Sequence, residues 1–436
     1  HGGQKTVKVG EEPFTGKDSE TLQHAVDSLS YEGGGTVEVP AGTYEMQDAL
    51  YLRSGVDITG AGRETRLVRQ PGRAVELAEV AGYGHYEVVV QDPEALEPGM
   101  GVFITDDVAS GFQTTTGTIM HKKGDSIFLD EMLNAEYDPG RGARVLPLFP
   151  LICGEYAENC SVSNLNLNGR ATDEELMDGC RGAGVYLTCS HRINLVGIEV
   201  SDYPGDAVSF QHCTDIAVEG SHVHSNRGRG IHVGSGSVRH ILRNNNICEN
   251  GSEGVLFALR ATHSLCEANQ VQKNGAAGIS VGEQSTNHMI RSNEIHSNRG
   301  PGLLFRDARC HGGNSCVVHG NAFRRNCSGF GEADVVVGAG VRDLLFRRNF
   351  FYSDLSTAPE AAAARVADGG ARIYFFDNTI ADQPLSAEHV QDEGGSVAWD
   401  EPAQGPEAGP DAAGTDAARH LGVDLPPRWR DAGGEV

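Results

Sequence analysis

Two acidic residues near the middle of the chain have the types and spacing of a general acid–base pair. Asp206 and Glu253 each stand just before a short apolar triplet, two repeats apart. If each repeat is one coil of stacked strands, their backbones lie about 9.6 Å apart. Carboxyl groups separated by ~6.5–9.5 Å leave room for the water of inverting glycoside hydrolysis. One carboxyl would protonate the leaving oxygen while the other activates water.

Further polar side chains are predicted to line the same groove. His232 is the third candidate catalytic residue, because it neighbours both carboxylates in the stack. The competing interpretation is that the two carboxylates only accept hydrogen bonds from turn amides and that His232 only hydrogen-bonds a sugar. The residues predicted to bind substrate are Tyr186, Ser209, Gln211, Arg229, Arg260, Ser280, Glu283 and Arg306.

A lyase or epimerase acting on a uronate is the alternative chemistry for this groove. Such a reaction needs a base beside the carbon next to the carboxylate, and a cation that neutralises the carboxylate. His232 can serve as the base and the groove arginines as the cations. In this alternative Glu283 and Asp307 could hold a Ca²⁺ ion. No other cofactor is expected, because Cys310, Cys316 and His319 do not have a zinc-site spacing.

The residues above are carried by a repeat that recurs every 23 or 24 residues between Val185 and Arg306. Each copy opens with an apolar, variable, apolar triplet, whose first and third residues face one side of a strand. The first positions are Val185, Val208, Ile231, Val255, Ile279 and Leu303. No single copy can bury its apolar face alone, so the copies are expected to stack as a solenoid. The prediction is an all-β, right-handed parallel β-helix.

Two columns of asparagine keep the same phase as the triplets. One contains Asn245, Asn269, Asn293, Asn321 and Asn349, and the other contains Asn250, Asn274, Asn298 and Asn326. Asn tolerates tight turn conformations, and stacked side-chain amides can hydrogen-bond to one another along the axis. The columns therefore predict amide ladders at two turns of each coil.

The N-terminal part of the chain resembles a known superfamily. An amphipathic helix is predicted at residues 19–30, capped by Asp18 or Ser19, and is expected to cover the open end of the solenoid. It is followed by the string Gly33-Gly-Gly-Thr-Val-Glu-Val-Pro-Ala-Gly-Thr-Tyr44. Together these features resemble the opening of pectate-lyase-like β-helix proteins, which include polysaccharide lyases, glycoside hydrolases and phage tailspikes. The resemblance implies a carbohydrate-active β-helix.

A second resemblance is confined to the groove. Gly205-Asp206-Ala207, followed by Gly228-Arg-Gly-Ile-His-Val-Gly-Ser235, is similar to the polygalacturonase family. That family has Gly-Asp-Asp and then Gly-His-Gly-Ile-Ser-Ile-Gly-Ser, so only Asp206 matches a catalytic position. Ala207 replaces the second Asp and Arg229 replaces the His. The segment beginning at Glu253 shows a weaker similarity to β-helical fructan transferases.

Four segments are predicted. Residues 1–82 form the N-terminal cap and first coils, 83–150 an inserted β-subdomain of alternating strands, 151–384 the main β-helix, and 385–436 a tail rich in Ala, Gly, Pro, Asp and Glu. The β-helix is expected to run from about residue 36 to 380.

Composition restricts the partners. The formal charge is −25, which argues against a nucleic-acid partner, and no apolar run reaches the length of a membrane span. The ten cysteines contain no Cys-x-x-Cys motif. The protein is expected to be secreted or periplasmic, with a cytoplasmic location open, and to be a monomer or homotrimer.

The predicted function is cleavage of a polysaccharide or oligosaccharide in the β-helix groove by glycoside hydrolysis. The alternatives are a lyase or epimerase acting on uronate glycans, a fructan transferase, and a non-catalytic glycan-binding or tailspike-like protein.

Overall fold

The computed structural model describes residues 5–171, 176–282, 284–308, 313–329, 333–352 and 362–399. By their internal contacts these residues form two compact units. The first contains residues up to Phe210 together with Asn226–Gly228, and the second contains Gln211–Ser225 and the chain from Arg229 onward.

An α-helix, Ser19–Tyr31, follows the first strand of the first unit. The side chain of Asp18 accepts a hydrogen bond from the backbone N–H of Thr21 at 2.8 Å, which is the predicted N-cap. Leu22, Ala25, Val26 and Leu29 form the buried face of the helix. This face packs against the strands Gly35–Val39, Leu50–Tyr51 and Val56–Gly60, as expected for a helix that covers the first coils.

The first unit contains three parallel sheets built from consecutive coils. We call the sheet that carries the predicted groove residues, such as Tyr186 and Ser209, the groove sheet. The other two are the second and third sheets, in the order in which the chain visits them. The groove sheet contains Leu50–Tyr51, Ile152–Glu155, Val185–Thr188 and Val208–Gln211. The second contains Thr6–Lys8, Gly35–Val39, Val56–Gly60, Glu158–Ser163 and His191–Val196, and the third contains Gly42–Met46, Thr65–Arg69, Asn166–Asn168 and Glu199–Ser201.

A six-stranded antiparallel sheet lies between the early coils of the first unit. Its strands are Val75–Glu76, Glu87–Val89, Gly101–Thr105, Thr115–Lys123, Ser126–Leu129 and Arg144–Leu146. It has its own apolar core, which includes Leu77, Val102, Ile119 and Val145. Short 3₁₀ helices connect its strands at Pro93–Ala95, Gly111–Gln113 and Pro139–Arg141. The sheet therefore begins before residue 83, where the sequence pattern first shows alternation.

The second unit is also built from coils that contribute strands to three parallel sheets. Its groove-sheet strands are Ile231–Val233, Val255–Phe257, Ile279–Val281, Leu303–Phe305, Ala333–Val337, Ala362–Val366 and Val390–Asp392. The second-sheet strands are Ala217–Glu219, Ile241–Arg243, Leu265–Glu267, Met289–Arg291, Cys316–His319, Arg342–Arg347, Ala371–Phe376 and Val397–Ala398. The third-sheet strands are His222–His224, Asn246–Cys248, Gln270–Gln272, Glu294–His296, Ala322–Arg324, Phe350–Tyr352, Thr379–Ile380 and Gln383–Pro384. A 3₁₀ helix spans Ala387–His389.

The apolar columns are interior, as predicted. Ile231, Val255, Ile279 and Leu303 are partners in adjacent parallel strands and are all fully buried. A single coil would leave these apolar side chains exposed, and the coils stacked on either side exclude water from them.

The predicted amide ladders are also present. In the first column the side-chain Nδ2 of Asn245 donates to Oδ1 of Asn269 at 3.0 Å, and the same bond repeats from coil to coil as far as Asn378. In the second column Asn250, Asn274, Asn298 and Asn326 repeat this arrangement. Each Oδ1 also accepts a backbone N–H from the preceding coil, so the buried turn amides are satisfied.

The all-β class, the parallel coils and their period are thus confirmed. Within the described part of the chain, no helix has the length and apolar character that crossing a membrane would require.

Candidate functional site

A small cleft in the first unit brings acidic side chains from both kinds of sheet together. The groove-sheet coils contribute Asp48, Tyr51, Cys153 and Glu155 to its lining, and the connection between them contributes Phe149 and Pro150. The antiparallel sheet contributes Thr116, Gly117, Asp130 and Glu131. Tyr51 and Cys153 are partners in adjacent groove strands, so the cleft spans two coils.

Asp48 is the most perturbed carboxyl group in the cleft. Its Oδ2 accepts a hydrogen bond from the hydroxyl of Thr118 at 2.8 Å, and its Oδ1 accepts the Ala49 N–H at 2.7 Å. The Tyr51 hydroxyl donates to Oδ1 at 3.4 Å. Burial outweighs these bonds and, with the nearby charge of Asp130, raises the pKa of Asp48 to about 6. Asp48 therefore remains partly protonated near neutral pH.

Three exposed carboxylates, those of Asp130, Glu131 and Glu155, line the cleft together with Asp48. Partial burial and the negative charges of Glu131 and Asp130 raise the pKa of Glu155, and burial with the charge of Asp130 raises that of Glu131. Oδ1 of Asp130 accepts the backbone N–H of Thr118 at 2.6 Å, so Asp130 is fixed beside the residue that bonds Asp48. Carboxyl groups that hold one another above their usual pKa are typical of acid–base sites.

Two further side chains of the cleft, Tyr51 and Cys153, are largely buried. Burial raises the pKa of the Cys153 thiol well above the ordinary value. Burial also raises the pKa of Tyr51, whose hydroxyl bonds the Thr118 hydroxyl at 3.1 Å. The low hydration around Asp48 strengthens its interaction with the charge of Asp130.

One segment covers the groove sheet next to this cleft. We call residues 176–182 the strap. The Tyr186 hydroxyl donates to the carbonyl oxygen of Cys180 at 2.9 Å, and the Ser209 hydroxyl donates to that of Gly179 at 2.6 Å. Tyr186 and Ser209 are 4% and 0% exposed, so the prediction that they face an open groove is wrong. Their roles in substrate binding stay predictions.

The strap is attached to the antiparallel sheet at several points. Asp178 accepts the Gly111 N–H at 2.9 Å, and Arg181 donates to the Phe112 carbonyl oxygen at 2.9 Å while lying over the Phe112 ring. Met177 is buried among Phe103, Leu146, Leu148 and Tyr203. Arg181 also places its positive charge near Glu155 and Glu131.

Asp206 belongs to the first unit and is buried, with 2% of its surface exposed. A Cβ at Gly228 would collide with its carboxylate and with the backbone of Gly205, so Gly228 allows this close approach. The backbone carbonyl of Asp206 accepts the Gly184 N–H at 3.0 Å. Glu253 belongs to the second unit, so the pairing of the two carboxylates stays a prediction.

Glu253 lies in a cluster of opposite charges in the second unit. Nε of Arg229 lies 3.2 Å from its Oε2, and the Arg306 guanidinium bonds its Oε1. The Ser252 hydroxyl donates to Oε2 at 2.6 Å. Burial favours the neutral acid, but Arg229, Ser252 and Arg306 outweigh it and lower the pKa of Glu253. Glu253 is therefore an ionised carboxylate that holds two arginines, unlike a general acid with a raised pKa.

The remaining predicted residues of the second unit are placed as follows. Nε of Arg306 donates to the Ser280 hydroxyl at 2.9 Å, which covers Ser280. Oε1 of Gln211 accepts the Ser235 N–H at 2.8 Å, so this buried amide side chain ties two coils together. His232 is 5% exposed and pairs with Leu256 in the next strand.

Ser280, Gln211 and His232 are thus buried, unlike the solvent-facing groove positions expected for them. Arg260 is exposed, and Asp307 accepts the Ala339 N–H at 2.9 Å. Glu283 and Cys310 lie outside the described residues, so the Ca²⁺ alternative and the Cys310 interpretation stay predictions.

The sequence contained one signal for the cleft. Asp48 stands two residues before Leu50, just as Asp206 stands before Val208 and Glu253 before Val255. Leu50 is the register partner of Ile152, and Ile152 is that of Val185, so the triplet column extends back to residue 50. Asp130 and Glu131 give no such signal, because their approach to Asp48 depends on how the antiparallel sheet folds.

The sequence of residues 183–351 matches the family model described as the right handed beta helix region. The chain has a right-handed parallel β-helix fold. A comparison with curated proteins finds no match.

Solved structures similar to this β-helix have diverse functions. The A-module of the mannuronan C-5 epimerase AlgE4 from Azotobacter vinelandii is 15% identical, with a TM-score of 0.53 over 88% of this chain and 96% of that chain. A hyperthermoactive exopolygalacturonase from Thermotoga maritima is 14% identical, with a TM-score of 0.52 over 91% of each chain. PfbA, a surface adhesin of Streptococcus pneumoniae, is 11% identical, with a TM-score of 0.50 over 87% of this chain and 86% of that chain. At these identities the likeness concerns the fold, which hosts different functions.

Proposed function

We propose that the protein is a carbohydrate-active enzyme that cleaves glycosidic bonds by acid–base catalysis in the cleft of the first unit. The observation that supports this most directly is the raised pKa of Asp48, about 6, beside the exposed Asp130, Glu131 and Glu155. Glycoside hydrolysis requires one protonated and one ionised carboxyl group on the two sides of the scissile bond. The similar folds of an epimerase and an exopolygalacturonase support a glycan as the substrate.

The roles follow from the surroundings of each carboxyl group. Asp48 is the general acid, because burial raises its pKa to about 6, so that it is partly protonated near neutral pH, and the Thr118 hydroxyl fixes its orientation. Glu155 is the base, because it is exposed on a groove strand and can reach a water molecule. Asp130 is a positioning residue whose negative charge helps Asp48 to retain its proton. An extracellular or periplasmic location is part of the same proposal, since polymeric glycans occur there.

The test is a panel of neutral and uronic polysaccharides, followed by reducing-end assay and by the absorbance of unsaturated products. On a cleaved polymer, Asp48→Asn and Glu155→Gln should each lower turnover by about 10²–10⁴-fold, because each removes a proton-transfer group. Glu158→Gln is the matched control. Glu158 lies on the next strand along the chain, and its carboxylate pairs with Arg192.

The same assay tests the pair predicted from the sequence. If Asp206→Asn and Glu253→Gln lose turnover while Asp48→Asn and Glu155→Gln retain it, the catalytic site belongs to that pair and the cleft assignment is wrong. If all four variants fail to fold, which the absence of a thermal unfolding transition would show, their loss of activity reflects unfolding and not the loss of a catalytic group.

A lyase or epimerase acting on a uronate is the second candidate, and the charge cluster of the second unit favours it. Two guanidinium groups, those of Arg229 and Arg306, both contact the carboxylate of Glu253. An arginine in such a cluster can bind the carboxylate of a uronate bidentately. Unsaturated products would indicate a lyase. Deuterium uptake from D₂O without chain cleavage would indicate an epimerase, and loss of either signal in Arg306→Ala would assign it to this cluster.

A further inference from the structure

The strap covers groove strands that lie on the side of the cleft away from the α-helix. In the first unit the groove sheet has four strands, and the strap covers the two that follow the cleft by bonding Tyr186 and Ser209. Both side chains are buried, so no sugar can lie on them. Within the first unit, the strap leaves two strands of the groove sheet uncovered, Leu50–Tyr51 and Ile152–Glu155. Neighbouring strands are ~4.8 Å apart, so these two coils give only a short stretch of accessible groove.

The edge of the groove sheet beyond Tyr51 is occupied by the α-helix. Nε2 of Gln23 donates to the Tyr51 carbonyl oxygen at 3.2 Å, and its Oε1 accepts the Tyr51 N–H at 2.8 Å. The helix therefore takes the place of a further strand at this edge. A glycan chain that enters from the helix side meets the strap after two coils.

We infer that the enzyme acts on chain ends: the cleft accepts the terminal sugar of a glycan and releases short products, with the strap as the barrier that prevents internal binding. This inference rests on the proposed function of the cleft. An internal segment of a polymer needs a groove that is open on both sides of the catalytic residues, whereas a chain end needs only one opening. The residues that set this specificity are Met177, Asp178 and Arg181, because they anchor the strap.

The attachment of the strap explains why it would resist displacement by a polymer. Met177 is enclosed in an apolar cluster and is 2% exposed. Asp178 accepts two backbone N–H groups, those of Gly111 and Cys180, both at 2.9 Å. These contacts lie outside the cleft, so they can be removed without changing Asp48 or Glu155.

The experiment follows product sizes from the first turnovers on whichever polymer of the panel is cleaved. The unaltered protein should release one short product while the remaining polymer stays long and its viscosity changes little. Asp178→Ala should loosen the strap, which hydrogen exchange at residues 176–182 would register, and should add products of intermediate length. Arg192→Ala is the control, because Arg192 is an exposed arginine of the same unit that pairs with Glu158.

Three results have distinct meanings. A single short product from the unaltered protein and mixed products from Asp178→Ala support the inference. Mixed lengths and a rapid viscosity loss with the unaltered protein overturn it while leaving the proposed function intact. Cleavage of no polymer in the panel overturns the proposed function and this inference together. Should Asp178→Ala fail to fold, Met177→Ala, which removes the side chain that anchors the strap in the apolar cluster, replaces it.

Discussion

Burial and hydrogen bonding act on Asp48 in opposite directions, and burial prevails. The bonds from Thr118, Ala49 and Tyr51 favour the carboxylate, while loss of hydration and the charge of Asp130 favour the neutral acid. A carboxyl group with a pKa near 6 can donate a proton at neutral pH, which an exposed Asp with a pKa near ~3.9 cannot.

This balance predicts a pH profile. If protonated Asp48 is the acid, kcat/KM should fall as the pH rises through about 6, because the donor loses its proton. Asp130→Asn removes a charge that raises the pKa of Asp48, so the alkaline limb should move to lower pH. Asp125→Asn, in an exposed turn of the same antiparallel sheet, should leave the limb unchanged. A limb that does not move in Asp130→Asn contradicts the role given to Asp130.

A buried histidine in the second unit makes stability depend on pH. Nδ1 of His288 accepts the Ser264 N–H at 3.3 Å, and its ring stacks on Phe257. Burial and, to a smaller extent, His263 lower its pKa to about 3. Between pH 6.5 and 3 the unfolded chain binds the proton and the folded chain does not, so stability present above pH 6.5 is lost as the pH falls.

We therefore expect acidification from pH 7 to 4.5 to destabilise the unaltered protein more than His288→Asn, by on the order of 2–3 kcal/mol. Asn can still accept the Ser264 N–H but does not titrate. The melting temperature of both proteins at each pH measures the difference, and His24→Asn, at an exposed helix position, is the control. Parallel losses in both proteins would assign the acid sensitivity to other groups.

At the scale of an element, the asparagine ladder fixes the turns of the second unit. Nδ2 of Asn293 donates to the Cys266 carbonyl oxygen and to Asn321, and its Oδ1 accepts the Asn269 N–H. Each bond satisfies a buried polar group that has no access to water. Removing a ladder side chain would leave such groups without a partner, which costs more free energy than one hydrogen bond contributes.

Asn293→Ala should destabilise the protein by about 2–5 kcal/mol, because it leaves buried backbone groups of two neighbouring coils without their bonds. Asn246→Ala is the matched control, since Asn246 is half-buried on a third-sheet strand and its Oδ1 accepts only a long bond from Gln272, at 3.4 Å. Urea unfolding at constant pH compares the two. Equal small losses would show that the ladder is not a major source of stability.

At the scale of the whole molecule, the formal charge of −25 affects encounters with charged glycans. Repulsion between an acidic protein and a polyuronate is strongest at low ionic strength and is screened over about 8 Å at 0.15 M salt. A neutral glycan experiences no such field.

We expect kcat/KM on a polyuronate, if one is cleaved, to rise with salt between low and physiological ionic strength, while kcat/KM on a neutral polymer stays level. Steady-state kinetics at matched pH and two salt concentrations provides the measurement. A decrease with salt on the polyuronate would mean that local arginines, such as Arg229 and Arg306, determine the encounter instead of the overall charge.

The sequence by itself determined the coil, because the information for it is local and repeated. Val255, Ile279 and Leu303 are interior, and Asn269 and Asn293 form a ladder, since a period of 24 residues places equivalent positions in register whatever their surroundings. The N-cap at Asp18 is equally local. The exposure of the groove was not predictable in this way, because alternation shows which side of a strand a residue faces and not what covers that side.

Only the tertiary structure decided which polar residues meet. Asp48 and Asp130 approach because the antiparallel sheet folds over the first coils, and Tyr186 is buried because the strap crosses it. Both contacts join segments that share no period, so their positions depend on the packing of an insertion and a loop. The environment that raises the pKa of Asp48 is a product of that packing. Spacing along the chain carries no information about such packing, so it predicted Asp206 and Glu253 instead.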